Sequence, residues 1–150
     1  MDKRKNIEDI YPLSSTQQGI LFHTLYTPKS GVYVAQISCT FSNSLDVSLL
    51  KKAWQLVIER HPILRTSFHW ERRDQPFQVV YRSVNLPWEQ YDWRGVSLTE
   101  QHELLENFLK SDRKRDFDIN KPPLMRLTLI QLAEDKYKFV WSKHHLILDG

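Results

Sequence analysis

His144-His145-Leu146-Ile147-Leu148-Asp149-Gly150 holds the densest set of groups able to do chemistry in these 150 residues. Two adjacent imidazoles are followed by three apolar residues, an acid and a glycine. An imidazole titrates near pH 6.5, so close to neutrality it can take or give a proton. The strand-like run Tyr137–Lys143 leads into the pair. Successive strand side chains point to opposite faces, so His144 and His145 cannot both face one reaction centre. The plain alternative is a pair of core histidines satisfied by backbone groups. A metal site is disfavoured, because neighbouring strand residues rarely share an ion and no Cys or spaced His–carboxylate set completes a shell. Ser15 and Ser67 have no base placed near them by the spacing and do not read as nucleophiles. Cys39 falls on the apolar side of a strand pattern and reads as a small buried hydrophobe.

The elements that must hold this motif are legible in outline. Ser14 or Ser15 can cap a helix running to about Tyr26, with Ile20, Leu21 and Leu25 on one side. Tyr33, Ala35, Ile37, Cys39 and Phe41 alternate as a half-buried strand should. Asp46 can cap a second helix with the stripe Leu50, Ala53, Trp54, Val57 and Ile58, which Pro62 ends. Leu64–Trp70 and Phe77–Arg82 read as paired strands around Pro76, and Trp88–Trp93 as another short strand. Ser97-Leu98-Thr99-Glu100 has capping-box spacing. The helix it opens buries Leu104, Leu105, Phe108 and Leu109 and frays in the basic run Arg113-Lys114-Arg115. Residues 124–132 and 137–143 are the last two strands, joined at Asp135 as an antiparallel hairpin. This mixture predicts an α/β class of α+β sandwich character: a mixed sheet with helices packed on it.

Length and composition allow one domain with a true core: 41% hydrophobic, 26% charged, five Trp, six Tyr and seven Phe. A single cysteine excludes an internal disulfide and suits a reducing compartment, so a cytoplasmic setting is expected. The start has no apolar segment of the secretory kind, and no run approaches a membrane span. The net charge of +3 is modest. Arg72-Arg73 and Arg113-Lys114-Arg115 read as solvated turns and helix ends, and no nucleic-acid fingerprint accompanies them.

The HHxxxDG pattern resembles the active-site signature of condensation domains from nonribosomal peptide synthetases. More loosely it resembles the HxxxD of the chloramphenicol acetyltransferase superfamily. Arg60-His61-Pro62-Ile63-Leu64-Arg65-Thr66-Ser67-Phe68 is similar to the family's RHExLRTxF segment, with Pro62 where Glu is usual. Tyr11–His23 is similar to its N-terminal SxAQ segment, with Ser15-Thr16-Gln17 in place of the Ala-Gln core. Phe117-Asp118-Ile119 and Pro123-Leu124-Met125-Arg126 fit the stretch that precedes the active-site strand. The four matches occur in the family's order and span residues 10 to 150.

The resemblance implies a chloramphenicol acetyltransferase-like lobe at residues 11–150, behind a leader at residues 1–10. The chain is then expected to be the N-terminal lobe of a condensation domain, ending just after the motif. It implies amide bond formation between a carrier-bound donor acyl thioester and a carrier-bound acceptor aminoacyl thioester. His145 would face the acceptor amine, as a general base or as an orienting acceptor, and His144 would be structural. Asp149 would form an ion pair that holds the loop, with Arg65 as first partner and Arg60 as second. Gly150 would allow a close backbone approach or serve as a turn residue. No cofactor is intrinsic; phosphopantetheine arms arrive on donor and acceptor peptidyl carrier proteins. The other implied partners are the C-terminal lobe of the same domain and an adjoining adenylation domain, with neither nucleic acid nor membrane. The imidazole pair disfavours cyclisation-type members, which carry two acids there. The Tyr11–His23 segment and Leu148 look most like domains taking a donor that ends in a D-residue. The alternatives are an epimerisation domain of the same family, or a non-catalytic docking lobe.

Overall fold

The computed structural model describes residues 3–71 and 74–148; of residues 3 and 4 only the backbone is described. In chain order the elements are β1 (Ile7–Pro12), α1 (Ser15–Tyr26), β2 (Val34–Phe41), α2 (Val47–Arg60), β3 (Thr66–His69), β4 (Phe77–Tyr81), β5 (Trp88–Asp92), α3 (Leu98–Lys114), β6 (Met125–Ala133) and β7 (Lys136–His144). The strands form two sheets. One is antiparallel in the order β1-β4-β3, the other mixed in the order β2-β7-β6-β5. β7 therefore lies inside its sheet, paired antiparallel on both sides, with β2 across Val34–Phe41 and with β6 across Met125–Ala133. β5 runs parallel to β6, and α3 makes the crossover that parallel neighbours require. The α/β expectation holds, with two sheets where one was expected.

Each helix begins where local chemistry can satisfy its free N–H groups. Ser14 and Gln17 form a reciprocal capping box at α1, as Ser97 and Glu100 do at α3. The Asp46 carboxylate accepts from the Leu49 N–H at the start of α2. α2 stops at Arg60, and Pro62 opens a 3-10 turn through Arg65, so β3 starts only at Thr66.

The core draws on both sheets. Leu13, Leu21, Ile58, Phe68, Leu127, Phe139, Leu146 and Ile147 are buried in one cluster. Trp54 of α2 packs on Phe139 and Trp141 at 5.8 and 5.1 Å between ring centres. α3 lies on the opposite face of the same sheet, where its Asp112 meets Gln36, Arg126 and Ser142 from three adjacent strands.

Several expectations need correction. Residues 7–10, expected in a leader, belong to β1, which pairs with β4. The basic run does not fray α3, because Arg113 and Lys114 form its last turn. Leu25, Ala53, Val57 and Leu104 are exposed where a buried stripe was expected. Cys39 is exposed. Trp54 covers β7, the next strand inward, and leaves Ile37 and Cys39 open on the edge strand.

Gly31 has a positive φ of 68° in the loop that leads to β2, and a Cβ there would lie 2.6 Å from the Arg113 carbonyl oxygen. Neither the conformation nor the space suits a larger residue. Gly31→Ala is expected to cost about 1–3 kcal/mol, read as a lowered midpoint of thermal unfolding; an unchanged midpoint would contradict it.

Candidate active site

β7 ends at His144, and the motif turns immediately after it. Three backbone bonds fix the turn. The His144 N–H donates to the Leu124 carbonyl at 3.0 Å, the His145 N–H to the Tyr33 carbonyl at 2.9 Å, and the Ile147 N–H to the His144 carbonyl at 3.1 Å. The two imidazoles thus leave a backbone anchored to both flanking segments. Leu146 and Ile147 turn inward and join the core, so the apolar spacer fastens the turn by burial.

The rings have different surroundings. His144 is 3% exposed. Its Nδ1 accepts the Leu146 N–H at 3.0 Å, which requires that nitrogen to be unprotonated. Phe117 meets the ring edge-on at 6.3 Å and Tyr33 lies at a similar distance. Burial first, and then the neighbouring His145, press its pKa down to about 4, opposed only by Asp116. His144 is therefore a neutral, internally bonded ring at physiological pH. His145 is only half-buried and meets Tyr33 edge-on at 6.3 Å. Of the pair it is the more exposed ring.

Large apolar side chains on α1 and the loop after it are exposed. Phe22, Tyr26 and Val32, from the end of α1 and the loop beyond it, are 57, 73 and 66% exposed. A small recess of about 10 Å³ beside His144 is lined by Thr24, Thr27, Gly31, Tyr33 and Asp116, among others. It is too small for more than a water molecule.

Asp149 and Gly150 lie outside the described residues, and so do Arg72 and Arg73. Arg65 is buried and heavily engaged. Its guanidinium donates to Glu8 at 2.6 Å, to the Tyr81 carbonyl, to the Ile58 carbonyl at 3.1 Å and to the Glu59 carbonyl at 3.3 Å. Among the described residues, one of its five N–H donors has no partner. Arg60 is exposed at the end of α2 and has no partner among the described residues.

The structure also shows groups that the spacing did not. His69 places Nε2 2.8 Å from the Ser67 hydroxyl, so Ser67 does have a base beside it. The two sit at i and i+2 on one strand face, a signal the sequence carried. Ser67 is nevertheless fully buried and closed to a substrate. The larger omission is Asp112, a buried carboxylate two strand positions from His144 through Ser142. Among the described residues no group of three His, Cys, Asp or Glu could hold a metal ion, and no helix is long and apolar enough to cross a membrane.

With this geometry in place, the comparisons with known proteins agree on one family. The family model of the condensation domain matches residues 7–150. The chain is 51% identical over 146 residues to a linear gramicidin synthase of Brevibacillus parabrevis, covering 97% of the chain and 3% of that protein. It is 37% identical over 144 residues to bacitracin synthase 1 of Bacillus licheniformis, covering 96% and 3%. Among solved structures, the starter condensation domain of rhizomide synthetase superposes with a TM-score of 0.83 at 19% identity, over 95% of this chain and 35% of that one. A four-domain nonribosomal peptide synthetase bound to AMP and glycine superposes with a TM-score of 0.82 at 21% identity, over 95% and 11%. The chain belongs to the condensation-domain family, and its fold is that of the family's chloramphenicol acetyltransferase-like lobe. It spans about 3% of the length of the curated synthetases it matches.

The depressed pKa of His144 makes a pH prediction. The unfolded chain binds a proton near pH 6.5 and the folded one only near pH 4. Between these values the unfolded state holds more protons, so the contribution is complete above pH 6.5 and is lost as pH falls toward 4. The total is roughly 3 kcal/mol at most. Chemical denaturation across this range should show the loss, and His144→Gln should flatten it. An identical pH slope in the variant would contradict the assignment.

Proposed function

We propose that the chain is the N-terminal lobe of a condensation domain that joins a donor acyl thioester to the α-amine of an acceptor aminoacyl thioester. Both substrates would be tethered by phosphopantetheine arms to peptidyl carrier proteins, in the cytoplasm, within the synthesis of a secondary metabolite. The observation that carries this reading is the division of the motif: His144 is neutral, buried and bonded to the turn, while His145 is reachable at the strand end.

The chemistry asks little of the protein beyond placement. A thioester is a good electrophile, and an α-amine with a pKa of about 7.7–8.0 is partly neutral at pH 7. The nitrogen attacks the donor carbonyl, a C–N bond forms and the C–S bond breaks. The amine proton passes to His145, or is held by it until the departing thiolate takes it. Holding two long arms in register supplies most of the acceleration. These residues form one wall of such a site. The exposed side chains of Phe22, Tyr26 and Val32, on α1 and the loop that leads to Tyr33, suit a second wall, for which the C-terminal lobe is the proposed source. By itself the chain leaves His145 open to water and is expected to be inactive. Asp149 is proposed to tie the loop down, with Arg65 as first partner through its remaining N–H and Arg60 as second. An adjoining adenylation domain would load the acceptor carrier.

The test is mass spectrometry of the acceptor carrier after mixing loaded donor and acceptor carriers with the chain, alone and joined to a C-terminal lobe. Amide product is expected only from the joined protein. His145→Ala should reduce it by about 10²-fold or more without a change in melting; normal turnover would remove both the base and the orienting role. Asp149→Ala is expected to lower soluble yield together with turnover, whereas a stable, inactive variant would move Asp149 from structure into the chemistry.

A further inference from the structure

We propose that Asp112, on α3, is a positioning residue for the reaction, holding the end of β7 so that the turn after His144 presents His145. The carboxylate is buried and engages three adjacent strands at once. It accepts from the Ser142 hydroxyl on β7, from Gln36 Nε2 on β2 at 2.8 Å and from Arg126 Nε on β6 at 3.0 Å. Arg126 Nη2 also donates to the Asp112 carbonyl at 2.8 Å. Gln36 and Arg126 are the cross-strand partners of Ser142 itself, so one acid staples a single row across the sheet, two residues before His144.

The staple continues to the motif through packed groups. The Arg126 guanidinium lies over the Phe117 ring at 4.1 Å, and Phe117 meets His144 edge-on at 6.3 Å. His144 in turn accepts from Leu146 inside the turn. Hydrogen bonds from Ser142 and Gln36 and the charge of Arg126 hold the acid ionised against the cost of its burial. Arg115 lies 3.7 Å away on the exposed side. Ser142 ties Asp112 to β7, which carries His144, and Gln36 ties it to β2, which Tyr33 immediately precedes; the His144 and Tyr33 backbones both anchor the turn. The functional consequence rests on the reading of His145 given above; the positional claim does not.

Asp112→Asn keeps the shape and removes the charge. It also leaves Arg126 buried without its counter-charge, so its folding is checked against the double variant Asp112→Asn/Arg126→Gln, which removes both. In each folded variant, nitrogen-detected NMR of the 150-residue chain reads the His144 ring. Wild type is expected to show a single Nδ1-acceptor tautomer. The variants should show a mixture of tautomers, with an altered shift for the Leu146 amide, and in the joined two-lobe protein kcat should fall by tenfold or more with KM nearly unchanged. A folded variant whose His144 ring and Leu146 amide match wild type would overturn the proposal. A perturbed ring in a protein that makes no amide in any form would overturn the reading of His145 and leave the positioning role standing.

Discussion

The Leu146 N–H donates to Nδ1 of His144 at 3.0 Å, and much of the site follows from that bond. It fixes the tautomer of His144 and keeps the ring neutral. It also closes the turn over two residues, so the chain leaves the strand in one direction. His145 then emerges beside a partner that carries no charge. A protonated His144 would lose the bond, open the turn and place a cation next to a group proposed to receive a proton. Burial of the ring, which lowers its pKa to about 4, is thus part of the same device.

The sheet makes the bond possible. β7 is internal, so the position of His144 is set by β2 on one side and β6 on the other. Backbone bonds to Tyr33 and Leu124 extend this control past the last strand residue. Asp112 adds a side-chain tie from the helix across the same three strands. Leu146 and Ile147 complete the frame from the other direction by entering the core. A side chain on a short turn is ordinarily mobile; here covalent neighbours on both sides are anchored, which is what the positioning proposed for His145 demands.

What the sequence made legible was mostly local. The capping boxes at Ser14 and Ser97, the Asp46 cap and the final hairpin depend on residues a few positions apart. The motif was visible because its residue types are unusual at that spacing, and strand alternation already implied different surroundings for its two rings. Long-range effects were hidden. Ile7–Pro12 has too many polar residues to read as a strand and becomes one only because β4 has a free edge to offer. Cys39 fits an apolar alternation yet lies exposed on the edge strand β2. Asp112 carries no motif of its own in α3. It falls on the same helical stripe as Gln101, Leu105, Phe108 and Leu109, with spacings of four, three, one and three, and an acid on a buried stripe was the available signal.

The central claim is that His144 holds the turn through Nδ1 while His145 is the ring presented. Its most direct test is the scalar coupling across the hydrogen bond between the Leu146 amide nitrogen and His144 Nδ1, measured by NMR on uniformly ¹⁵N-labelled chain near neutral pH. A resolved coupling between these two nitrogens, with the His144 proton on Nε2, is the result the account requires. A proton on Nδ1 of His144, with no coupling to Leu146, would show that the turn is held in another way and that the division of roles between the two imidazoles is wrong.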